Sequence, residues 1–187
     1  DQGRYQHHTL MQRPHGSALP DISLIDTRGL ALSSGLSDEA INQIRFALER
    51  KEQALLFINR RGFAHSLQCE DCGWVAGCQH CDSSMAVHRT PPHLSCHYCN
   101  TKTSVPTYCQ QCDSNRLSSR GIGTEQLEIL MSRHFSTTPV FRIDGDNIKN
   151  METLSQALDG IAGAESAILL GTQMLSKGHG FPRVTCV

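Results

Sequence analysis

Apolar residues recur along this chain in two rhythms, and one long stretch follows neither. Behind Ser37, the residues Ile41, Ile44 and Leu48 fall on one helical face. Ser37 is placed to cap that helix, and Asp38 and Glu39 suit the positive end of its dipole, so a helix is predicted from Ser37 to about Lys51. The continuous run from Ala54 to Ile58 suits a strand buried on both faces of a parallel sheet. Helical spacing returns from about Thr124, with Leu127, Leu130, Met131 and His134. A strand is then predicted at 139–143, a helix from about Met151 with Leu154, Leu158 and Ile161, and an apolar strand at 167–170.

Strands alternating with helices predict an α/β domain, a parallel sheet with flanking helices. The same pattern stands on both sides of a cysteine-rich stretch, which therefore reads as an insertion. The expected division is a linker or arm over 1–36, a first part of the α/β domain over 37–66, the insert over 67–116, and the continuation of the domain over 117–187. Residues 1–20 are polar, with Gly3, Pro14, Gly16 and Pro20 and no amphipathic period. The chain opens on Asp1 and ends at Val187 inside a strand-like run, so it reads as an excerpt truncated at its C-terminus.

Charge narrows the partners. Seventeen Lys+Arg against 18 Asp+Glu leave no global basic field, so any contact with nucleic acid must be local. No apolar run exceeds about five residues, whereas a membrane span needs ~20. A soluble, cytoplasmic chain with no membrane partner is expected.

Eight of the nine cysteines form four Cys-x-x-Cys pairs: Cys69/Cys72, Cys78/Cys81, Cys96/Cys99 and Cys109/Cys112. Two intervening residues let both thiolates of a tight turn face one metal, and two such turns complete the tetrahedron zinc prefers in structural sites. Gly73, Asp82, Asn100 and Asp113 follow the pairs, and these are the residue types best tolerated at the positive φ expected just after a metal turn.

With each pair intact, three ways to build two sites remain. Joining 69/72 to 78/81 forces two turns together across five residues, which is sterically tight. The nested arrangement is preferred: Cys69, Cys72, Cys109 and Cys112 on one zinc, Cys78, Cys81, Cys96 and Cys99 on the other. The crossed arrangement is the runner-up. A disulfide framework is disfavoured by the regular spacing and by the absence of a visible secretory signal. His80 and His97 lie inside the turns but are not needed as ligands, and Cys186 reads as a core residue. Four thiolates per ion leave no open position, so the zinc is expected to be structural.

Three flanking segments add to the cysteines: Leu56-Phe57-Ile58-Asn59-Arg60-Arg61-Gly62, Gly121-Ile122-Gly123-Thr124-Glu125, and Gly171-Thr172-Gln173-Met174-Leu175-Ser176-Lys177-Gly178-His179. In this order around eight cysteines they resemble the primosomal protein N′ (PriA) family of bacterial replication-restart helicases, of superfamily 2. The resemblance covers about residues 37–187. Two departures touch no ligand: Gly145 stands where the family usually has a larger polar residue, and Gly180 where a second His is common.

The resemblance implies a 3′ to 5′ DNA helicase driven by ATP that reloads replication at abandoned forks. This stretch would then be its second RecA-like lobe, interrupted by a ribbon-like insert that holds each of two zinc ions by four cysteines. It also implies forked or single-stranded DNA, primosome proteins and single-strand-binding protein as partners of the parent, a monomeric state, and a cytoplasmic, nucleoid-associated location. ATP and Mg2+ would be bound mainly by a lobe absent from this chain, which carries no phosphate loop or acidic box and is expected to be inactive alone. Asn59, Arg60, Arg61, Gly171, Thr172, Gln173, Lys177 and Gly178 are the candidates for DNA contact or ATP coupling, at the carboxyl ends of parallel strands where ligands of open α/β sheets bind.

Trp74, the only tryptophan, can stack on a base or fill the small insert core, and the packing role is slightly favoured. The alternative function is a non-motor zinc-ribbon module that binds nucleic acid or protein; it leaves the Gly171 segment unexplained.

Overall fold

A computed structural model of the chain describes residues 20–58, 61–176 and 180–187. Helix α1 (Asp38–Glu49) starts where Ser37 accepts a hydrogen bond from the Ala40 N–H, and it buries Ile41, Ile44 and Ala47. Strand β1 (Gln53–Phe57) follows directly. After the cysteine-rich region come α2 (Thr124–His134), β7 (Val140–Ile143), α3 (Met151–Gly163), β8 (Ala167–Gly171) and β9 (Val184–Cys186). These strands form one four-stranded sheet in the order β7-β8-β1-β9, and every pairing in it is parallel.

Alternation along the strands divides the core into two faces, as a strand's two-residue period requires. Ala54, Ile168 and Leu170 pack with Ile41 and Ile44 of α1, with Leu127 and Met131 of α2, and with Phe135 just beyond it. Ala167, Leu169 and Ile143 pack on the other face with Ile161 of α3 and Leu175. The predicted helices and strands are all present. One detail differs: the β1 run is not buried throughout, because Phe57, at the carboxyl end of its strand, is 48% exposed.

Five short strands lie in the insert and at its two borders. β2 (Ser66–Cys69) pairs antiparallel with β6 (Leu117–Arg120), while β3 (Ala86–Arg89), β4 (Pro92–Ser95) and β5 (Lys102–Thr103) form a separate antiparallel sheet. Phe63, Leu67, Ala76, Met85, Val87, Leu94 and Cys96 make a small core of their own, with Trp74 packed against it.

The insert meets the parallel sheet at the start of α2. Gly123 caps that helix without a side chain. The first-turn amides are satisfied across the seam instead, Gly123 N–H donating to the Phe63 carbonyl and Glu125 N–H to that of Gly62. The approach is so close that a Cβ at residue 123 would lie 2.0 Å from the Gly62 carbonyl oxygen. Backbone cannot swing aside as a side chain does. Gly123→Ala should therefore cost about 1–3 kcal/mol or more in chemical denaturation. Gly163→Ala, in open space at the end of α3, should be neutral or slightly stabilising. Equal stability of the two variants would contradict this reading of the seam.

Candidate metal centre

Each Cys-x-x-Cys turn closes on its own backbone before any metal is considered. The first cysteine of every pair donates its N–H to the carbonyl five residues on: Cys69 to Trp74, Cys78 to Ser83, Cys96 to Thr101 and Cys109 to Ser114. In three turns a return bond, from Gly73, Asn100 and Asp113 to the carbonyls of Cys69, Cys96 and Cys109, tightens the loop. Those three residues have φ of 76°, 61° and 56°. Asp82 departs from the expected rule. The second turn lacks the return bond among the described residues, and Asp82 is not in the left-handed region. Its chain runs instead into the Gly77–Ser84 bridge.

The turns bring the cysteines together in two quartets. Cys69, Cys72, Cys109 and Cys112 form one, and Cys78, Cys81, Cys96 and Cys99 the other. In the first, Cys69 Sγ lies 3.7 Å from Cys112 Sγ, and Cys72 Sγ 3.6 Å from Cys109 Sγ. In the second, the Cys78–Cys99 and Cys81–Cys96 separations are both 3.4 Å and that of Cys81–Cys99 is 3.9 Å. Four sulfurs at ~2.3 Å from a tetrahedral zinc stand ~3.8 Å apart, whereas a disulfide holds its sulfurs at ~2.05 Å. The quartets fit the ion and not the covalent bond. This is the nested grouping; the crossed one is not formed.

Thiol electrostatics agree. The Cys99 thiol is lowered to about 6, first by the Thr101 hydroxyl, and Cys69 to about 7, first by the Cys72 N–H. For Cys112 and Cys81 the largest effects, the N–H groups of Ser114 and Ser83, favour the thiolate, but burial and neighbouring thiolates outweigh them. Those two thiols are pushed up to about 12 and about 11. Four thiols crowded this closely cannot all ionise without a cation among them. A divalent ion removes that conflict, so the donor set suits structural zinc.

His80 is exposed, and His97, half-buried, turns toward the seam and not toward the sulfurs. Cys186 packs half-buried beside the α1 face, where burial raises its thiol. Trp74 lies half-buried against the insert core.

Gly171 ends β8 beside Phe57, and a Cβ there would lie 2.9 Å from the Ile143 carbonyl, so the three strand ends converge. Thr172, 9% exposed, follows, and Gln173 opens a 3-10 turn (Gln173–Ser176). Arg61 is half-buried and its guanidinium donates to the His97 carbonyl at 3.3 Å. The same group lies over Gly145, where a Cβ would stand 3.0 Å from it, so the small residue at 145 leaves room for Arg61. Asn59, Arg60, Lys177 and Gly178 lie outside the described residues.

The seam also gathers polar residues that sequence reasoning missed. His88 Nδ1 pairs with Glu125 Oε1 at 2.7 Å, and the Arg89 N–H donates to the other oxygen of that carboxylate. Burial works to raise the Glu125 carboxyl, and these bonds overcome it to leave it lowered. Asp144, fully buried at the end of β7, accepts from the Thr124 hydroxyl at 2.5 Å.

Comparison with known proteins fits this geometry. The family described as the PriA DNA helicase Cys-rich region (CRR) domain matches residues 78–103, the span of the inner quartet. The replication restart protein PriA of Haemophilus influenzae is 40% identical over 185 residues, covering 99% of this chain and 25% of that protein. The Bacillus subtilis protein of the same name is 35% identical over 189 residues, covering 99% of this chain and 23% of its own length. That of Chlamydia trachomatis is 39% identical over 151 residues, covering 80% and 20%. The chain thus spans about a quarter of the length of the curated relatives it matches. Among the described residues no helix is long and apolar enough to cross a membrane. Over nearly its whole length the chain is similar to the replication restart proteins PriA, and its inner cysteine turns match the PriA Cys-rich region.

Proposed function

We propose that this chain is part of an ATP-dependent 3′ to 5′ DNA helicase that acts at stalled or abandoned replication forks and restarts replication by primosome assembly. The observation that carries the reading is the alignment of nearly the whole chain with PriA proteins, together with a cysteine insert placed between β1 and α2 of a parallel sheet. In this reading 37–66 and 117–187 form the second RecA-like lobe, 67–116 the two-zinc insert, and 1–36 an arm leading to it. The eight cysteines hold two structural zinc ions in the two quartets.

Asn59, Arg60, Gly171, Thr172, Gln173, Lys177 and Gly178 contact DNA or couple it to the state of the nucleotide. Arg61, turned into the seam, serves the coupling role by tying the strand end to the insert. Trp74 supports the insert core, with base stacking its second role. ATP and Mg2+ are held mainly by a lobe outside this chain, which alone does not hydrolyse ATP. The working parent acts as a cytoplasmic, nucleoid-associated monomer on forked or single-stranded DNA, with primosome proteins and single-strand-binding protein as partners.

The test is a titration of the zinc-loaded chain with labelled forked DNA at several salt concentrations. Binding should weaken with salt along a log-log slope of about −0.7 to −0.9 per phosphate neutralised, and Arg60→Ala or Lys177→Ala should each flatten it by about one contact. Binding that survives both substitutions unchanged favours a non-motor zinc-ribbon module, and no saturable binding removes the DNA role from this segment.

A further inference from the structure

The seam holds a set of metal-ligating side chains that the eight cysteines leave out. His88 on β3, His97 inside the third cysteine turn and Asp146 just beyond β7 each offer a ligand atom, and all three atoms lie within 4.8 Å of one another. Two come from the insert and one from the parallel-sheet side.

Their geometry is that of a metal site short of its ion's pull. His88 Nε2 and His97 Nε2 are 3.4 Å apart. Two nitrogens at ~2.05 Å from a tetrahedral ion stand about 3.4 Å apart, so this edge is already formed. The other nitrogen of His88 is fixed by Glu125 at 2.7 Å. A carboxylate holding Nδ1–H leaves the Nε2 lone pair pointing outward, and metal-ligating histidines ordinarily carry this support. His93 stacks on the His88 ring at 4.6 Å and holds its plane. Asp146 offers an oxygen within 4.8 Å of the ligand nitrogens; its Oδ1 stands 4.0 Å from His97 Nδ1, the ring nitrogen not facing His88, and its Oδ2 is buried with no hydrogen-bond partner among the described residues. Rotation of the Asp146 side chain, which is 24% exposed, would bring a carboxylate oxygen toward the two Nε2 atoms. Space beside the ring is kept open by Gly62, where a Cβ would stand 3.2 Å from His88 Nε2.

Charge favours a cation there as well. Glu125, Glu128, Asp144 and Asp146 line this region against the guanidinium groups of Arg61 and Arg142. Arg89 is drawn away over the Phe63 ring, and Lys149 reaches only the Gly145 carbonyl from the solvent side. Two imidazoles and one carboxylate suit borderline divalent ions.

We propose that His88, His97 and Asp146 form a third metal site, taking an ion of the zinc, cobalt and nickel class, and that this ion clasps the insert to the parallel sheet. Three protein ligands leave a position for water, so the site is weaker and more exchangeable than the thiolate quartets. The inference stands independently of the helicase reading.

The zinc-loaded chain, dialysed to two zinc ions per molecule, is titrated with Co2+ and followed by visible absorption and by NMR of the histidine rings. One further equivalent should bind with nitrogen- and oxygen-type d–d bands and no sulfur charge-transfer band, perturbing His88 and His97. Asp146→Asn should weaken this equivalent about tenfold or more while retaining two zinc ions, and His88→Gln should abolish it. Because His88 is buried and its substitution can unfold the seam, the less buried Asp146 variant decides. Cobalt entering only by exchange into the thiolate sites, or a third equivalent of unchanged affinity in Asp146→Asn, would overturn the proposal.

Discussion

Stripping the metal from both thiolate quartets should unfold the insert while the four-stranded parallel sheet persists. The apolar core of the insert is a handful of side chains under strands of two to four residues, too little to offset the ordering entropy of some fifty residues. Structural zinc in such sites contributes ~10 kcal/mol or more of apparent binding free energy at neutral pH, which is folding free energy when the site exists only in the folded state. The parallel sheet has separate cores on its two faces.

After exhaustive chelation, amide exchange at Ala76, Met85 and Cys96, whose N–H groups are bonded inside the insert, should rise to unfolded rates. Amides in β1 and β8 should stay protected. Retained protection in the insert at negligible metal content would refute the structural role. The pairing is open to a stricter test through Cys78→Ser combined with Cys96→Ser. Both residues belong to one quartet in this structure, so zinc content should fall from two to one. In the crossed arrangement the same substitutions damage both sites and leave none.

How much of this could be read in advance depends on how local each signal is. Helices α1, α2 and α3 and strands β1, β7 and β8 come from short periodic runs whose caps lie beside them, as Ser37 does for α1. The quartets were legible because spacing restricts which turns can meet, even though the partners Cys69 and Cys112 are 43 residues apart. The rule of positive φ after each turn failed at Asp82, because residue type states what a position tolerates and not which hydrogen bond the chain makes there.

The seam as an assembly was not legible. Glu125 lies in the Gly121–Glu125 segment, but nothing there points to His88, and His88, Asp144 and Asp146 sit in no periodic pattern or motif. Their association depends on how the insert leans against α2. Arg61 reads from sequence as a cation at a strand end, but its direction, into the His97 carbonyl and over Gly145, is fixed by tertiary contacts alone.

The other large effect is expected at Asp144, where replacement by Ala should destabilise the α/β part by about 3–5 kcal/mol. The carboxylate is fully buried and accepts from the Thr124 hydroxyl and from the N–H groups of Asp146 (3.0 Å) and Asn147 (2.9 Å). Arg142 Nε stands 3.3 Å away, close enough for charge attraction yet without a hydrogen bond of its own, while its Nη1 reaches Glu128 at 2.8 Å. Removing Asp144 thus leaves a hydroxyl and two amides without acceptors and the buried Nε of Arg142 with no carboxylate beside it. Each such loss costs the full desolvation of the stranded group.

Asp144→Asn keeps the shape and part of the acceptor capacity, so its cost should be smaller, about 1–3 kcal/mol. Zinc content should stay at two in both variants, because no cysteine is touched. A double-mutant cycle with Thr124→Val separates the shared bond from the rest, with a coupling of about 0.5–3 kcal/mol expected for groups in direct contact. Denaturation of Asp144→Ala within about 1 kcal/mol of the parent chain would mean that this carboxylate does not hold the start of α2 to the end of β7, and the coupling assigned to the seam would lose its anchor.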